Sequence, residues 1–213
     1  MSVESDVQSG AHAAADPAPP AAPAANPALL GLMTFIPSGI TLGLWFVGYL
    51  DTATEAGGMI PIVALSAGLF QLIASIAALR GGASTVSAIF GVFSAFWLSF
   101  GFLLIGATSG WWGITADNLA SVQGTYLLSF LIIFVVLTLA TLRLPLTFTI
   151  GFVLVCVTFA LAFLGVTTAN ASLFPPAGIA TFLFCIVFAY ILVDGIGQEL
   201  GGKALPLGSP IQK

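Results

Sequence analysis

The chain has 213 residues, of which 59% are hydrophobic and 6% charged, with a mean hydropathy of +1.13 and a formal net charge of −4. This composition excludes a water-facing globular domain and belongs to a chain built for lipid. Its few charges are scattered, with no basic cluster, Walker loop, dinucleotide-binding glycine pattern or metal-ligand spacing, which argues against nucleic-acid, cofactor and metal chemistry. No Ser/His/Asp set or pair of intramembrane carboxylates is present, so acid-base and nucleophilic catalysis lack their partners and an enzyme is not expected.

Residues 1–25 form an Ala/Pro-rich run containing Glu4, Asp6, His12 and Asp16 but no basic residue. The segment lacks the positive and apolar regions of a secretory signal, so it is expected to be a disordered cytoplasmic tail. Six apolar stretches follow, at about 28–50, 60–79, 84–108, 124–142, 146–168 and 175–197. Each approaches the ~20 residues that cross a ~30 Å hydrocarbon core. Continuous apolar runs exclude the alternating pattern of a membrane β-barrel, leaving helices to satisfy the backbone in lipid. The expected fold is therefore an all-α membrane protein, with a six-helix transmembrane domain over 26–205 and a short cytoplasmic tail over 206–213.

The first span opens on Asn26-Pro27, a favourable N-cap followed by a proline suited to the first helical turn. The free N–H groups at that terminus would make a modest attractor for a carboxylate. Pro37, followed by Ser38 and Gly39, removes a backbone donor mid-span, and a kink is expected there. Gly39 and Gly43 form a GxxxG match suited to close helix approach, within the bundle or between subunits. Gln71 stands in mid-span, where an amide needs a partner or water. Phe93, Phe96, Trp97 and Phe100 form an i, i+3, i+4, i+7 stripe on the third span, mostly a packing feature. Cys156 and Cys185 lie mid-span as small hydrophobes, not a disulfide framework.

At its first span the chain resembles the acetate uptake transporters, also called acetate/succinate-proton symporters. Their signature Asn-Pro-Ala-Pro-Leu-Gly-Leu is matched by Asn26-Pro27-Ala28-Leu29-Leu30-Gly31-Leu32, with Leu29 in place of the second proline. Gly68-Leu69-Phe70-Gln71, the SAFWLSF stretch at 94–100 and LPLG at 205–208 extend the likeness over 26–208. Departures include Ala78-Leu79-Arg80-Gly81-Gly82 where the family carries a Glu-aromatic-Lys stretch, and Ser66-Ala67-Gly68 for its Tyr-Gly-Gly.

The resemblance implies six helices per protomer, a homohexamer in the membrane, and a pore through each protomer narrowed by a hydrophobic triad. The matching triad positions are Phe35, Phe93, where Phe replaces the family's Tyr, and Val155. Polar groups that could hydrogen-bond a small solute along such a path are Asn26, Thr34, Ser38, Thr41, Gln71 and Ser94. Asp194, near the end of the sixth span, is the candidate for proton coupling, or else an end residue facing water. The expected function is transport or channelling of a short monocarboxylate such as acetate, with succinate a further substrate and protons the coupling partner. Two other readings stand beside it: a non-transporting sensor or assembly protein with the same fold, and ammonia or ammonium export.

Orientation follows from Arg80, Arg143, Lys203 and Lys213, which all fall on the side of the two termini, while Asp51, Glu55 and Asp117 lie opposite. Cytoplasmic loops collect basic residues, so both termini are expected in the cytoplasm of a cell whose plasma or inner membrane the chain crosses. A reporter fused after Lys213 should be active only in the cytoplasm; activity confined to the outside would reverse the orientation.

Overall fold

The computed structural model describes residues 25–51 and 54–213, so the expected disordered tail, including His12, lies outside the described residues. Among them there is no strand, and six helical spans are long and apolar enough to cross a membrane. The protein is an all-helical, multi-pass membrane protein.

The first helix, α1 (Pro27–Phe46), starts as its sequence dictates: Asn26 Oδ1 accepts the Ala28 N–H at 3.1 Å, with Pro27 as the first helical residue. It continues through Pro37 as one helix, and the Thr41 hydroxyl donates to the Pro37 carbonyl at 2.9 Å. The helix ends at Phe46, one turn earlier than the apolar run alone suggests.

Backbone irregularity is concentrated in the second span. It begins as a 3₁₀ turn (Ala56–Met59), widens into a π-helix (Pro61–Leu69) and becomes regular only in α2 (Phe70–Arg80). Two hydroxyl bonds tie the π segment to α1: Ser38 donates to the Ile62 carbonyl at 3.0 Å, and Ser66 to the Thr34 carbonyl at 3.1 Å. Carbonyls of a widened turn point off the ordinary helical ladder, and in lipid they need such side-chain donors.

The third span, α3 (Ser84–Ser109), ends at Gly110 in the left-handed region, φ +67°, and a short turn through Trp111–Gly113 reverses the chain. The fourth, α4 (Ala116–Thr141), begins eight residues before the expected 124, because a Thr115–Asn118 capping box nucleates it within a polar stretch. Asn118 also donates to the Gly113 carbonyl at 2.8 Å, fastening the turn to the helix. The bundle is completed by α5 (Leu146–Thr167) and by the sixth span, a 3₁₀ turn (Ala171–Leu173) leading into α6 (Phe174–Glu199).

Packing pairs α1 with α6, α3 with the second span, and α5 with both α4 and α6, while the α3 and α4 backbones stand apart and meet through aromatic side chains. The α1–α6 approach depends on glycine. A Cβ at Gly39 would lie 2.5 Å from Cys185 Sγ, and one at Gly178 would lie 2.9 Å from the Gly43 carbonyl. The GxxxG pair therefore serves packing inside the protomer, with Cys185 buried against it.

Gly39→Ala should cost about 1–3 kcal/mol of stability by overpacking this contact, read as earlier thermal unfolding in detergent. Adding Cys185→Ala should recover part of that loss. Equal destabilisation with and without Cys185 would mean that the thiol does not set the approach distance.

Candidate functional site

The inner faces of α1, α3, α5 and α6 bring aromatic rings together at the centre of the bundle. Phe35 meets Phe93 edge to face, with ring centres 5.2 Å apart at 71°. It also meets Phe188 at 5.4 Å, Phe184 at 5.6 Å and Trp97 at 5.9 Å. Phe93 continues the cluster to Phe134 at 4.8 Å and Phe152 at 5.8 Å. Edge-to-face contacts place the positive ring edge on the negative face of a neighbour, so the cluster coheres without a polar atom. Phe35, Phe93 and Val155 are all buried in one hydrophobic cluster, and the first two are in direct contact.

A chamber lies on each side of this barrier. The smaller, about 220 Å³, is lined by Asn26, Gln71, Asp194 and Leu207, with Phe35 and Phe93 in its wall. Asn26 precedes α1, Asp194 lies in the last two turns of α6 and Leu207 beyond it, so this terminal chamber sits at the end of the bundle where α1 begins and α6 ends. The larger, about 1430 Å³, opens between α3 and α4 and is lined by Trp45, Phe96, Phe100, Tyr126 and Thr158, with Asp51 and Glu55 in the adjoining loop.

The barrier is one to two helical turns thick. On α3, Phe93 faces the terminal chamber and Phe96, three residues on, faces the distal one. On α5, Val155 falls between Phe152, which lines the terminal chamber, and Phe159, which lines the distal one. Phe96 is also a packing centre, as the stripe implies, stacking on Phe100 and meeting Trp97, Tyr126, Phe130 and Phe159.

The polar candidates divide into two sets. Thr34 donates to the Leu30 carbonyl at 2.8 Å, Ser38 to Ile62, Thr41 to Pro37, and Ser94 to the Gly68 carbonyl at 2.7 Å. These four hydroxyls satisfy backbone carbonyls, and none of the four residues lines either chamber. Asn26 and Gln71 do line the terminal chamber. Gln71 Nε2 donates to the Gly31 carbonyl at 3.3 Å, while its Oε1 is buried without a partner. The other buried, unpartnered side-chain atoms among the described residues are the indole nitrogens of Trp45 and Trp97.

Asp194 is buried and holds a strap. Its Oδ1 accepts the Leu205 N–H at 2.7 Å and its Oδ2 accepts from Gln198 Nε2 at 2.9 Å. Beyond that point the Tyr190 hydroxyl donates to the Pro206 carbonyl at 3.2 Å. Thr147 donates to the Leu207 carbonyl through both its N–H, at 3.0 Å, and its hydroxyl, at 2.7 Å. The segment after α6 is thereby laid across the terminal chamber with Leu207 in its wall. Sequence reasoning missed this strap, and it missed Phe152, Phe184 and Phe188 around Phe35. For the last two the available signal was an i, i+4 aromatic pair on α6.

Residues 9–200 match the model of the GPR1/FUN34/yaaH family. The chain belongs to that family. It is the acetate transporter family whose signature the Asn26 motif resembles. A solved structure described as that of the bacterial acetate channel SatP is similar in fold and sequence. It shows 27% identity and a TM-score of 0.77, covering 86% of this chain and 99% of that one. No curated protein sequence matches the chain. Like SatP in fold, the protein carries its six apolar helices as a membrane bundle.

Asp194→Ala should release the strap, exposing the bond after Lys203 to trypsin and lowering thermal stability. Asp194→Asn keeps an acceptor for Leu205 N–H and should be milder, roughly half as damaging. Identical tryptic protection in wild type and Asp194→Ala would show that the carboxylate does not hold the strap.

Proposed function

We propose that the protein is a membrane channel or transporter for short monocarboxylates, acetate first among them, with a path through each protomer. The observation that supports this reading is the pair of chambers separated by a cluster of apolar rings centred on Phe35 and Phe93. Family membership and the likeness to an acetate channel agree with it. On this reading Phe35, Phe93 and Val155 form the constriction, and Asn26 and Gln71 contact solute on the terminal side. Thr34, Ser38, Thr41 and Ser94 support the path by satisfying the backbone beside it.

The physical demand at the barrier is severe. An isolated carboxylate moved into an apolar site loses hydration worth many kcal/mol, so the solute must be small and either rehydrated in passing or carried as the neutral acid. Rings that close by contact can open by rotamer change or by wetting, which gates a path without any charged group. Proton linkage follows if the acid form crosses, and Asp194 at the terminal chamber is the nearest group to exchange that proton. The terminal chamber is assigned to the cytoplasm by the four basic residues on its side, and the protomers are assigned to a homohexamer. Succinate, with two carboxyl groups, is expected to cross less readily than acetate.

A second reading, a non-transporting membrane protein of the same fold, is favoured by one observation: the rings are in contact and the barrier is closed. Labelled solute flux into liposomes separates the two. Phe35→Ala and Phe93→Ala should raise acetate flux severalfold or admit larger carboxylates, in protein of unchanged oligomer size. Phe93→Tyr should restore a polar edge and alter selectivity, whereas Phe96→Ala should act more on stability. Unchanged permeation in both alanine variants would remove the gate assignment and leave the non-transporting reading.

A further inference from the structure

Gln71 carries an uncompensated acceptor in the wall of the terminal chamber. Its side chain is 1% exposed, and its Oε1 has no hydrogen-bond partner. The amide cannot simply turn over to relieve this, because Nε2 donates to the Gly31 carbonyl, and a flip would set one carbonyl oxygen against another. A buried acceptor left in this state is costly, and it favours any arriving group that brings a proton. The chamber holds no cationic side chain to attract an anion. Among the described residues that line it, Asp194 on α6 is the ionisable one, and the faces of α1, α2, α3 and α5 contribute none. A carboxylate entering there meets a carbonyl oxygen, a carboxylate and aromatic rings, with the neutral amides of Asn26 and Gln198 as its side-chain donors.

We propose that Gln71 selects the undissociated acid, its Oε1 accepting the carboxyl O–H of the solute beside Phe93. The proposal rests on the transport reading and narrows it: the species recognised at the barrier is a neutral hydrogen-bond donor, and the anion is excluded. Nothing covalent changes. The acid proton stays on its oxygen while the solute is bound and is lost to water after release. An acid with a pKa near ~4.3 is undissociated in about one molecule in 500 at pH 7, and in about tenfold more at pH 6. Selection at Gln71 therefore makes flux follow that fraction. Acetamide is similar in shape, uncharged throughout this pH range and an N–H donor, so it should occupy the same site. Acetone has the shape without a donor and should not.

The test uses the purified full-length protein in liposomes, with protein-free vesicles subtracted. Labelled acetate flux is followed at fixed total acetate from pH 7 to pH 6, with and without unlabelled acetamide or acetone. Flux should rise about tenfold over this unit of pH. Acetamide should inhibit equally at both pH values, being uncharged at each, and acetone should be inert. Gln71→Met, of similar volume but without the acceptor, should lower acetate flux roughly three- to tenfold and abolish acetamide inhibition. Protein-dependent flux that tracks total acetate at both pH values, with acetamide inert on the wild-type protein, would overturn acid selection while leaving the transport reading intact. Absence of any protein-dependent acetate flux would overturn both.

Discussion

The contact between Phe35 and Phe93, 5.2 Å from ring centre to ring centre, is the point on which the rest of the bundle is organised. It lies where α1 meets α3, and rings from α4, α5 and α6 close around it through Phe134, Phe152 and Phe188. On one side the helices diverge into the terminal chamber; on the other the wide backbone separation of α3 and α4 adjoins the larger distal one. The barrier is three residues deep on α3, from Phe93 to Phe96, and seven deep on α1 and α5, from Phe35 to Leu42 and from Phe152 to Phe159, which is one to two helical turns.

Around this centre the polar side chains are used sparingly and in a consistent way. Lipid offers no water to a stray carbonyl, so hydroxyls on neighbouring spans take up that task. Ser38 and Ser66 hold the widened second span to α1, Ser94 holds it to α3, and Thr149 on α5 reaches the Thr141 carbonyl at the end of α4. Gln71 departs from the pattern, because half of its amide is used on Gly31 and half is left open. Asp194 is fully used: one oxygen fixes the strap and the other meets Gln198.

Much of this was legible in the sequence, for reasons that differ by element. The six spans follow from length and apolarity, and the start of α1 from Asn26-Pro27. Phe35 and Phe93 could be singled out through the motif beside each. The onset of α4 was hidden because its first two turns, from Ala116 to Gln123, are polar and carry no membrane signal, although the Thr115–Asn118 cap was in plain view. Phe152 was obscured because α5 is apolar on every face, so no stripe marks its inward side, whereas on α6 the Phe184–Phe188 spacing was the available mark. The π-helix depends on hydroxyl bonds between residues 24 and 32 positions apart, and the partner of Asp194 is a backbone N–H beyond the helix end. Neither has a local signature.

The central claim is that one closed cluster of rings divides two water-reachable chambers and that solute crosses it. It is tested most directly by thiol labelling in a protein lacking Cys156 and Cys185, with one new cysteine placed at Gln123 in the distal chamber or at Gln198 in the terminal one. A membrane-impermeant thiol reagent should reach each cysteine from its own side of the liposome only, and modification at either position should reduce acetate flux. Labelling of one position from both sides, or flux unchanged after complete labelling at both, would contradict the account.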